Sequence, residues 1–253
     1  MNILKKTVLI VQNYSTLCGR ALVSLLPWPR YTNEIILQAD SIGVGSVPII
    51  VLTGFFTGAI LTLQTSTTLA EFSATQATGE LVSLSMVTQL GPVLSGLMVA
   101  GRNSAGIASE IGSMVVTDQI DAMRALGSDP IEKLLAPRIL ATTVMLVFLT
   151  LIADAVGILG GAFIAAAILG QNGSQYFHSA YTTLHYSDII QGLIKPLVFG
   201  FIISTCGCHY GMTTRGGTEG VGRNTTRAVV TASTFIIVTN FLISRLMIGI
   251  FGR

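Results

Sequence analysis

Charged side chains are scarce in this sequence. Asp, Glu, Lys and Arg make up 10% of its 253 residues, whereas hydrophobic residues make up 51%. A soluble globular domain carries about 25% charged residues, so this chain has too little polar surface to cover a water-facing fold. We therefore interpret it as an integral membrane protein. The net charge of +2 is also too small to indicate binding to nucleic acid.

The sequence also lacks the motifs of common enzymes and metal sites. It has no Gly-Lys pair, which excludes a P-loop for ATP, and it contains neither HExxH nor GxSxG. Cys18, Cys206 and Cys208 lie in apolar or small-residue surroundings, and we interpret them as packing residues rather than disulfides. His178 and His185 are a weak metal signal without clustered ligands. We expect no catalytic residue, no metal and no cofactor in this chain.

Positive charge is absent from two long segments. No Lys or Arg occurs in residues 31–101 or in residues 139–194. The segment between them, residues 100–138, is instead dense in charge. A charged island between apolar flanks is typical of a cytoplasmic loop that joins two membrane spans.

Five apolar segments are long enough to cross a bilayer. We predict an all-α membrane protein of one domain over residues 1–253. Residues 43–48 predict a hinge before the first span, Pro92 predicts a kink in the second, and Gly54 and Gly58 favour close helix packing. Within a bundle at 47–253, the predicted spans are residues 47–69, 81–100, 139–169, 189–210 and 228–251.

The first 26 residues predict a helix that lies in the membrane interface. Their apolar residues share one side of a helix, but Lys6, Gln12, Asn13 and Arg20 interrupt the run, which argues against an ordinary span. With the hinge, this segment covers residues 1–46. At the other side of the bundle, residues 171–188 are polar and aromatic, and we predict an outer interfacial segment.

The charged loop predicts a short amphipathic helix. Its apolar stripe consists of Ile120, Met123 and Leu126, and Gly127 is a plausible end. Asp118, Asp121 and Arg124 recur every three residues on the polar side. A cytoplasmic helix of this kind either lies on the lipid surface or docks into a soluble partner.

Asp154 and Lys195 are ionisable residues inside predicted spans for which a role is expected. Asp154 lies in the middle of the third span and shares a helix face with Gly157 and Gly161. A membrane-embedded carboxylate suggests function, although we favour a structural hydrogen bond to a neighbouring helix across the glycine face. Lys195, near the outer end of the fourth span, is expected to reach the interface or to meet a lipid phosphate.

Three classes of function remain open from composition and motifs. In the first class, the chain is the membrane subunit of a transporter driven by a separate ATPase, and the loop helix transmits the movement of the ATPase to the spans. Alternatively, it is a self-contained secondary carrier or channel that uses Asp154, although five spans do not divide into two equal repeats. The third and weakest hypothesis is a scaffold or insertion factor without a transport cycle.

An ordered set of short motifs resembles the MlaE (YrbE-like) permease family from about residue 43 to the C-terminus. The motifs on which the resemblance rests are Leu90-Gly91-Pro92-Val93-Leu94, Ala100-Gly101-Arg102, Ala108-Ser109-Glu110-Ile111-Gly112-Ser113-Met114, Thr117-Asp118-Gln119-Ile120-Asp121-Ala122, Pro137-Arg138, Gly157-Ile158-Leu159-Gly160-Gly161, Gly192-Leu193-Ile194-Lys195, Phe199-Gly200, and Gly217-Thr218-Glu219-Gly220-Val221-Gly222 with Thr225-Thr226-Arg227-Ala228-Val229-Val230.

The resemblance implies the permease subunit of an ABC transporter that moves phospholipid between inner and outer membranes. It implies a homodimer in a bacterial inner membrane, or in the equivalent chloroplast inner envelope. A separate ATPase subunit would bind ATP and Mg²⁺ below the membrane, and a hexameric MCE-domain protein would lie on the outer side. The loop at residues 102–138 would carry the coupling helix.

The resemblance also implies two sets of site residues. For coupling to the ATPase, Asp118, Asp121 and Arg124 are expected to form the docking face, with Glu110 as a structural or coupling carboxylate. Lipid contact is expected for Leu61, Leu69, Phe72 and Gln89. One departure concerns the pair before Leu-Gly-Pro. Many family members have Arg-Glu there, but this chain has Thr88-Gln89, so any headgroup contact would be a hydrogen bond rather than an ionic one.

Overall fold

The structure is a computed structural model that describes Gln12, residues 14–20 and residues 32–251. All regular secondary structure in these residues is helical. Gln12 and residues 14–20 are helical, and the rest of the predicted interfacial helix lies outside the described residues. The helices are α1 Thr32–Glu71, α2 Thr78–Ser85, α3 Gly91–Val99, α4 Ala105–Val116, α5 Gln119–Ala125, α6 Ala136–Ala167, α7 Gly173–Thr183, α8 Tyr186–Met212 and α9 Gly217–Phe251.

Five helical stretches are long and apolar enough to cross a membrane, which confirms the predicted all-α membrane fold. The stretch Thr75–Val116 contains α2, α3 and α4, because π-helical turns at Met86–Leu90 and Ala100–Ser104 join these helices. A third π-helical turn, Ile131–Leu135, leads into α6. The candidate spans are Thr32–Glu71, Thr75–Val116, Ile131–Ala167, Tyr186–Met212 and Gly217–Ile250.

Two predicted boundaries of these spans are wrong. The hinge predicted at residues 43–48 does not exist, because α1 runs without a break through Pro48. Continuing the helix satisfies the backbone of this apolar segment internally, and Pro48 removes only one donor. The second helical stretch continues to Val116, well beyond the predicted end at residue 100. The predicted kink at Pro92 coincides with the π-helical turn that precedes it.

The chain divides into two compact units. The first consists of Met1–Val44, Val99–Met145 and Gly200–Phe235, and the second consists of Gly45–Met98, Leu146–Phe199 and Ile236–Arg253. The core of the first unit contains Ile107, Ile111, Leu135, Ile139 and Cys208. The core of the second contains Val82, Met86, Ala162, Ala165 and Tyr176.

Glycines bring α1 and α6 into close contact within the second unit. A methyl group on Gly54 would meet the backbone of Ala153, and one on Gly58 would overlap the backbone of Gly157. On α6, a methyl group on Gly160 would in turn meet the backbone of Phe55. The close packing predicted for the GxxxG pair is therefore confirmed, with backbone against backbone.

The segment predicted to be an outer interfacial element contains a helix that packs into the second unit. The side chain of Asn172 caps α7 by accepting a hydrogen bond from the Ser174 amide at 3.0 Å. Tyr176 on this helix is buried, and its hydroxyl lies 3.5 Å from that of Thr62. Burial raises the pKa of the Tyr176 hydroxyl, so this side chain stays neutral.

The helical residues 14–20 pack on α8 and on the charged loop in the first unit. The Tyr14 hydroxyl lies 2.8 Å from Thr205 Oγ1, and its ring meets the His209 ring edge-on at 5.5 Å. Burial raises the pKa of Tyr14 above its ordinary value. Arg20 forms an exposed ion pair with Asp129 at 3.2 Å. These contacts hold the segment at both of its described ends.

Candidate functional site

A polar cavity of about 480 Å³ lies in the second unit, and we refer to it as the polar cavity. It is built from α2, the π-helical turn that follows α2, the end of α7, the start of α8 and the end of α9. Its lining residues are Glu80, Leu84, Thr88, Gln89, Thr183, His185, Ser187, Asp188, Gln191, Ser244, Met247 and Ile248.

A buried lysine organises the inner wall of the polar cavity. Lys195 is 0% exposed, and its Nζ donates to the Thr88 carbonyl at 2.6 Å and to Gln89 Oε1 at 2.9 Å. Gln89 Nε2 donates in turn to Ser244 Oγ at 3.2 Å. The side-chain amide of Gln89 therefore bridges α8 and α9. The expectation that Lys195 reaches the interface is wrong, because these neighbouring acceptors hold its ammonium group inside the unit.

Carboxylates lie at the opposite end of the polar cavity. Glu80 is in the first turn of α2, and Asp188 is in the first turn of α8. Asp188 Oδ2 accepts a hydrogen bond from the His185 amide at 3.0 Å and lies 3.9 Å from His185 Nδ1. Negative groups at these positions also favour the helix N-termini electrostatically.

The predicted ATPase-contact residues all lie in the first unit. Asp118 is exposed and joins α4 to α5 in a left-handed conformation with φ of 58°. Asp121 and Arg124 form an exposed ion pair at 2.8 Å on α5. Gly127, with φ of 77°, follows α5; its amide donates to the Arg124 carbonyl, and the Ser128 amide donates to the Met123 carbonyl. This pair of bonds confirms the predicted glycine end of the helix.

The apolar stripe of α5 is only partly covered. Ile120 is 2% exposed, whereas Leu126 at the other end is 84% exposed. A large apolar side chain beside exposed Asp121 and Arg124 is typical of a surface that a protein partner covers.

Glu110, one of the predicted ATPase-coupling residues, also forms a structural contact. Its Oε1 accepts a hydrogen bond from Arg138 Nη2 in an ion pair of 2.6 Å. The Arg138 side chain is only 4% exposed, whereas that of Glu110 is 49% exposed. The pair ties α4 to the start of α6, on the two sides of the charged loop.

Comparison with known proteins gives the family. The sequence model of the family described as "Permease MlaE" matches residues 35–246. The chain belongs to the MlaE permease family. A relative from Rickettsia bellii, named a probable ABC transporter permease protein, is 42% identical over 96% of this chain and 95% of its own length.

Two further relatives extend this comparison beyond Rickettsia. A probable ABC transporter permease protein of Synechocystis is 37% identical over 91% of this chain and 88% of its own length. The chloroplastic protein TRIGALACTOSYLDIACYLGLYCEROL 1 of Arabidopsis thaliana is 34% identical over 90% of this chain and 65% of its own length. The protein is thus an ABC transporter permease of the MlaE family, a multi-pass membrane subunit of a class that implies an ATPase partner.

The polar cavity of this permease contains only some of the predicted lipid-contact residues. Gln89 lines it, but Leu61, Leu69 and Phe72 are not among its lining residues. Leu61 packs against the core of the second unit, whereas Phe72 is 75% exposed just after α1. The lipid contacts of these three residues stay predictions.

Asp154 is buried in the second unit of the permease, and its Oδ1 does not form the hydrogen bond to a neighbouring helix that the sequence predicted for this side chain. It is 7% exposed, and Oδ1 has no hydrogen-bond partner within the described part of the chain. A methyl group on Gly91 would overlap this oxygen, so the carboxyl group packs directly on the backbone of α3. A structural role and ion coupling through Asp154 both stay predictions.

Several residues of these sites escaped prediction from the sequence. Ser244 and Asp188 carry no motif, and they reach the polar cavity only because α8 and α9 pack beside α2. Arg138 was recognisable as part of a family motif, but its burial follows from the position of α4. Neither periodicity nor composition encodes such long-range contacts.

Proposed function

We propose that this permease moves phospholipid between the inner and outer membranes of a bacterium. It acts as a homodimer in the inner membrane, is powered by a separate ABC ATPase and is linked to an MCE-domain protein on the outer side. The observation that carries the proposal is the polar cavity in a chain of the MlaE family, where Gln89 and Ser244 offer hydrogen-bonding groups beside apolar side chains.

The lining of the polar cavity suits an amphiphile. Leu84, Met247 and Ile248 supply apolar surface, and the amide and hydroxyl groups lie on the same walls. Lys195 places a positive charge behind Gln89, which favours an anionic phosphate at that end. The Arabidopsis relative is named after a lipid, trigalactosyldiacylglycerol.

The segment around α5 supports docking to the ATPase. ATP-driven closure of two ATPase subunits would move both copies of α5 as rigid bodies. The ion pair between Glu110 and Arg138 would carry this movement from α4 to α6, because it links the helices on both sides of the loop. The spans would then reshape the lipid site, while bond breaking stays in the ATPase.

The exposed surface of α9 supports contact with a second copy. Only 11% of the most apolar part of this span is buried, compared with 28–50% in the other four. Its large exposed side chains include Ile237, Phe241 and Leu242. A partner subunit and lipid together would cover this surface. The MCE partner rests on the family resemblance alone.

A pull-down from native membranes in mild detergent tests the proposal. The tagged chain is purified, and co-purifying proteins and lipids are identified by mass spectrometry. An ABC ATPase, an MCE-domain protein and phospholipid in the eluate are the expected result. A chain that elutes without an ATPase would contradict the proposal and leave a self-contained carrier that uses Asp154.

A matched variant sharpens the same experiment. Leu126→Asp places a charge on the exposed apolar residue that directly follows α5, without disturbing a buried contact. We expect it to lose the ATPase but to keep its phospholipid. Unchanged recovery of the ATPase with Leu126→Asp would argue against docking at α5.

A further inference from the structure

The polar cavity has two carboxylates at one end and no Lys or Arg among its lining residues. The carboxylates are Glu80 and Asp188, two of its twelve lining residues. Among the described residues, Glu80 has no ion-pair partner, and the only ion-pair contact of Asp188 is with His185. The end formed by the first turns of α2 and α8 therefore attracts cations.

The buried lysine lies at the other end of the same cavity. Glu80 precedes Thr88 by eight residues on one wall, and Asp188 precedes Lys195 by seven on the other. At about 1.5 Å of rise per residue, these separations correspond to about 10–12 Å along each helix. Val87 lies against Gly192, and Thr88 bonds Lys195, so the two helices run side by side in the same direction. The carboxylates and the lysine therefore mark two different depths.

This arrangement of charge complements a zwitterionic headgroup. A phosphate fits the deep end, where Gln89 and Ser244 offer hydrogen bonds and Lys195 lies behind them. An ammonium group has three donors and fits the carboxylate end. In a lipid of the outer leaflet, the amine lies farther from the acyl chains than the phosphate does. In the polar cavity, the carboxylates that suit the amine likewise lie beyond the Lys195 end that suits the phosphate.

We propose that the polar cavity selects phospholipids whose headgroup carries an amine, and that Glu80 discriminates them from anionic phospholipids. The inference rests on the proposed lipid transport and adds the headgroup class to it. A phospholipid without an amine places no positive group against the two carboxylates and brings its negative phosphate into the same cavity, which raises its energy in the site. An ammonium group removes that repulsion and gains a charge-assisted hydrogen bond.

Glu80 is the better of the two carboxylates for a test. Asp188 also binds the His185 amide at the start of α8, so its replacement would disturb the helix end. The Glu80 side chain has no such contact among the described residues. Glu71, the exposed last residue of α1, does not line the polar cavity. Glu71→Gln therefore removes the same charge from the same unit and is a matched control.

The experiment measures headgroup preference directly. The permease is co-purified with its ATPase and incubated with vesicles that contain equal amounts of phosphatidylethanolamine and phosphatidylglycerol. It is then repurified, and its bound lipids are quantified by mass spectrometry. We expect the wild type and Glu71→Gln to favour phosphatidylethanolamine by roughly threefold to fivefold, the size typical of a partly exposed ionic contact. Glu80→Gln should bind both lipids about equally.

Other outcomes separate the inference from the function on which it rests. A wild type that binds both lipids in the vesicle ratio, or Glu80→Gln that keeps the preference, would overturn the headgroup inference alone. No bound phospholipid in any variant would overturn the lipid-transport proposal itself. Glu80→Lys provides a second test, because it should invert the preference toward phosphatidylglycerol. An unchanged preference in Glu80→Lys would also reject the role of Glu80.

Discussion

At the scale of single residues, the buried charges of this permease are held in two different ways. Arg138 pairs with a carboxylate, whereas Lys195 is held by a carbonyl and an amide oxygen. A buried charge without enough partners is costly, so the few acceptors around each of these cations matter for stability.

Gln89→Leu should destabilise the permease, because it removes one of the two acceptors that hold the buried Lys195 ammonium group. Losing such an acceptor costs about 1–3 kcal/mol. Gln89→Glu should preserve or raise stability, since it places a carboxylate beside the lysine. Thermal unfolding in detergent measures both changes. Equal melting temperatures for Gln89→Leu and the wild type would show that Lys195 does not depend on Gln89.

Glu110→Leu should destabilise the first unit, because Arg138 is buried and loses its carboxylate partner. We expect a loss of about 1–3 kcal/mol, below the value for a fully buried pair, since half of the Glu110 side chain is exposed. Glu110→Gln keeps an acceptor oxygen and is the control, with a smaller loss in the same unfolding assay. Full stability in Glu110→Leu, combined with weaker ATPase stimulation, would leave Glu110 a coupling residue only.

At the scale of helices, sequence patterns predicted where the spans lie better than where they end. The apolar segments and Gly127 were correctly read, because burial in lipid and a positive φ each impose a local requirement. The hinge at residues 43–48 was wrong because glycine and proline mark flexibility only where the surroundings do not enforce a helix. The long extension to Val116 was missed because charge ended the predicted span, although helices continue past a bilayer boundary.

Gly58→Ala should destabilise the contact between α1 and α6, since a methyl group there overlaps the Gly157 backbone. Overpacking of this kind costs about 1–3 kcal/mol. Gly222→Ala is the matched control, because a methyl group at this position in α9 meets open space and favours the helix. Thermal unfolding of both variants measures the difference. A Gly58→Ala variant as stable as Gly222→Ala would mean that the two helices separate without cost.

At the scale of the whole molecule, the two predicted functional surfaces fall into separate compact units. The ATPase-contact residues Asp118, Asp121 and Arg124 belong to the first unit, and Gln89 belongs to the second. Helices α1, α6, α8 and α9 each supply residues to both units. A movement imposed on α5 would therefore have continuous helices through which to reach the proposed lipid site.

Asp121→Arg should lower the lipid-stimulated ATPase activity of the assembled transporter. The change reverses one charge of an exposed pair and places two arginines beside each other on α5. We expect a loss of about fivefold or more, since a like-charge contact in an interface repels the partner. Lys133→Glu, also a charge reversal in the loop but outside α5, is the control. Undiminished stimulation with Asp121→Arg would place the contact elsewhere.

The sequence by itself determined the membrane class, the number of spans, the family and the absence of a P-loop. Each of these depends on composition, on runs of apolar residues or on short ordered motifs, and a linear chain displays all three. The tertiary structure alone decided that Lys195 points into the unit, that Arg138 is buried against Glu110 and that Glu80 and Asp188 share a cavity with Ser244. Those relations join residues up to 164 positions apart, from Glu80 to Ser244, and only helix packing brings them together.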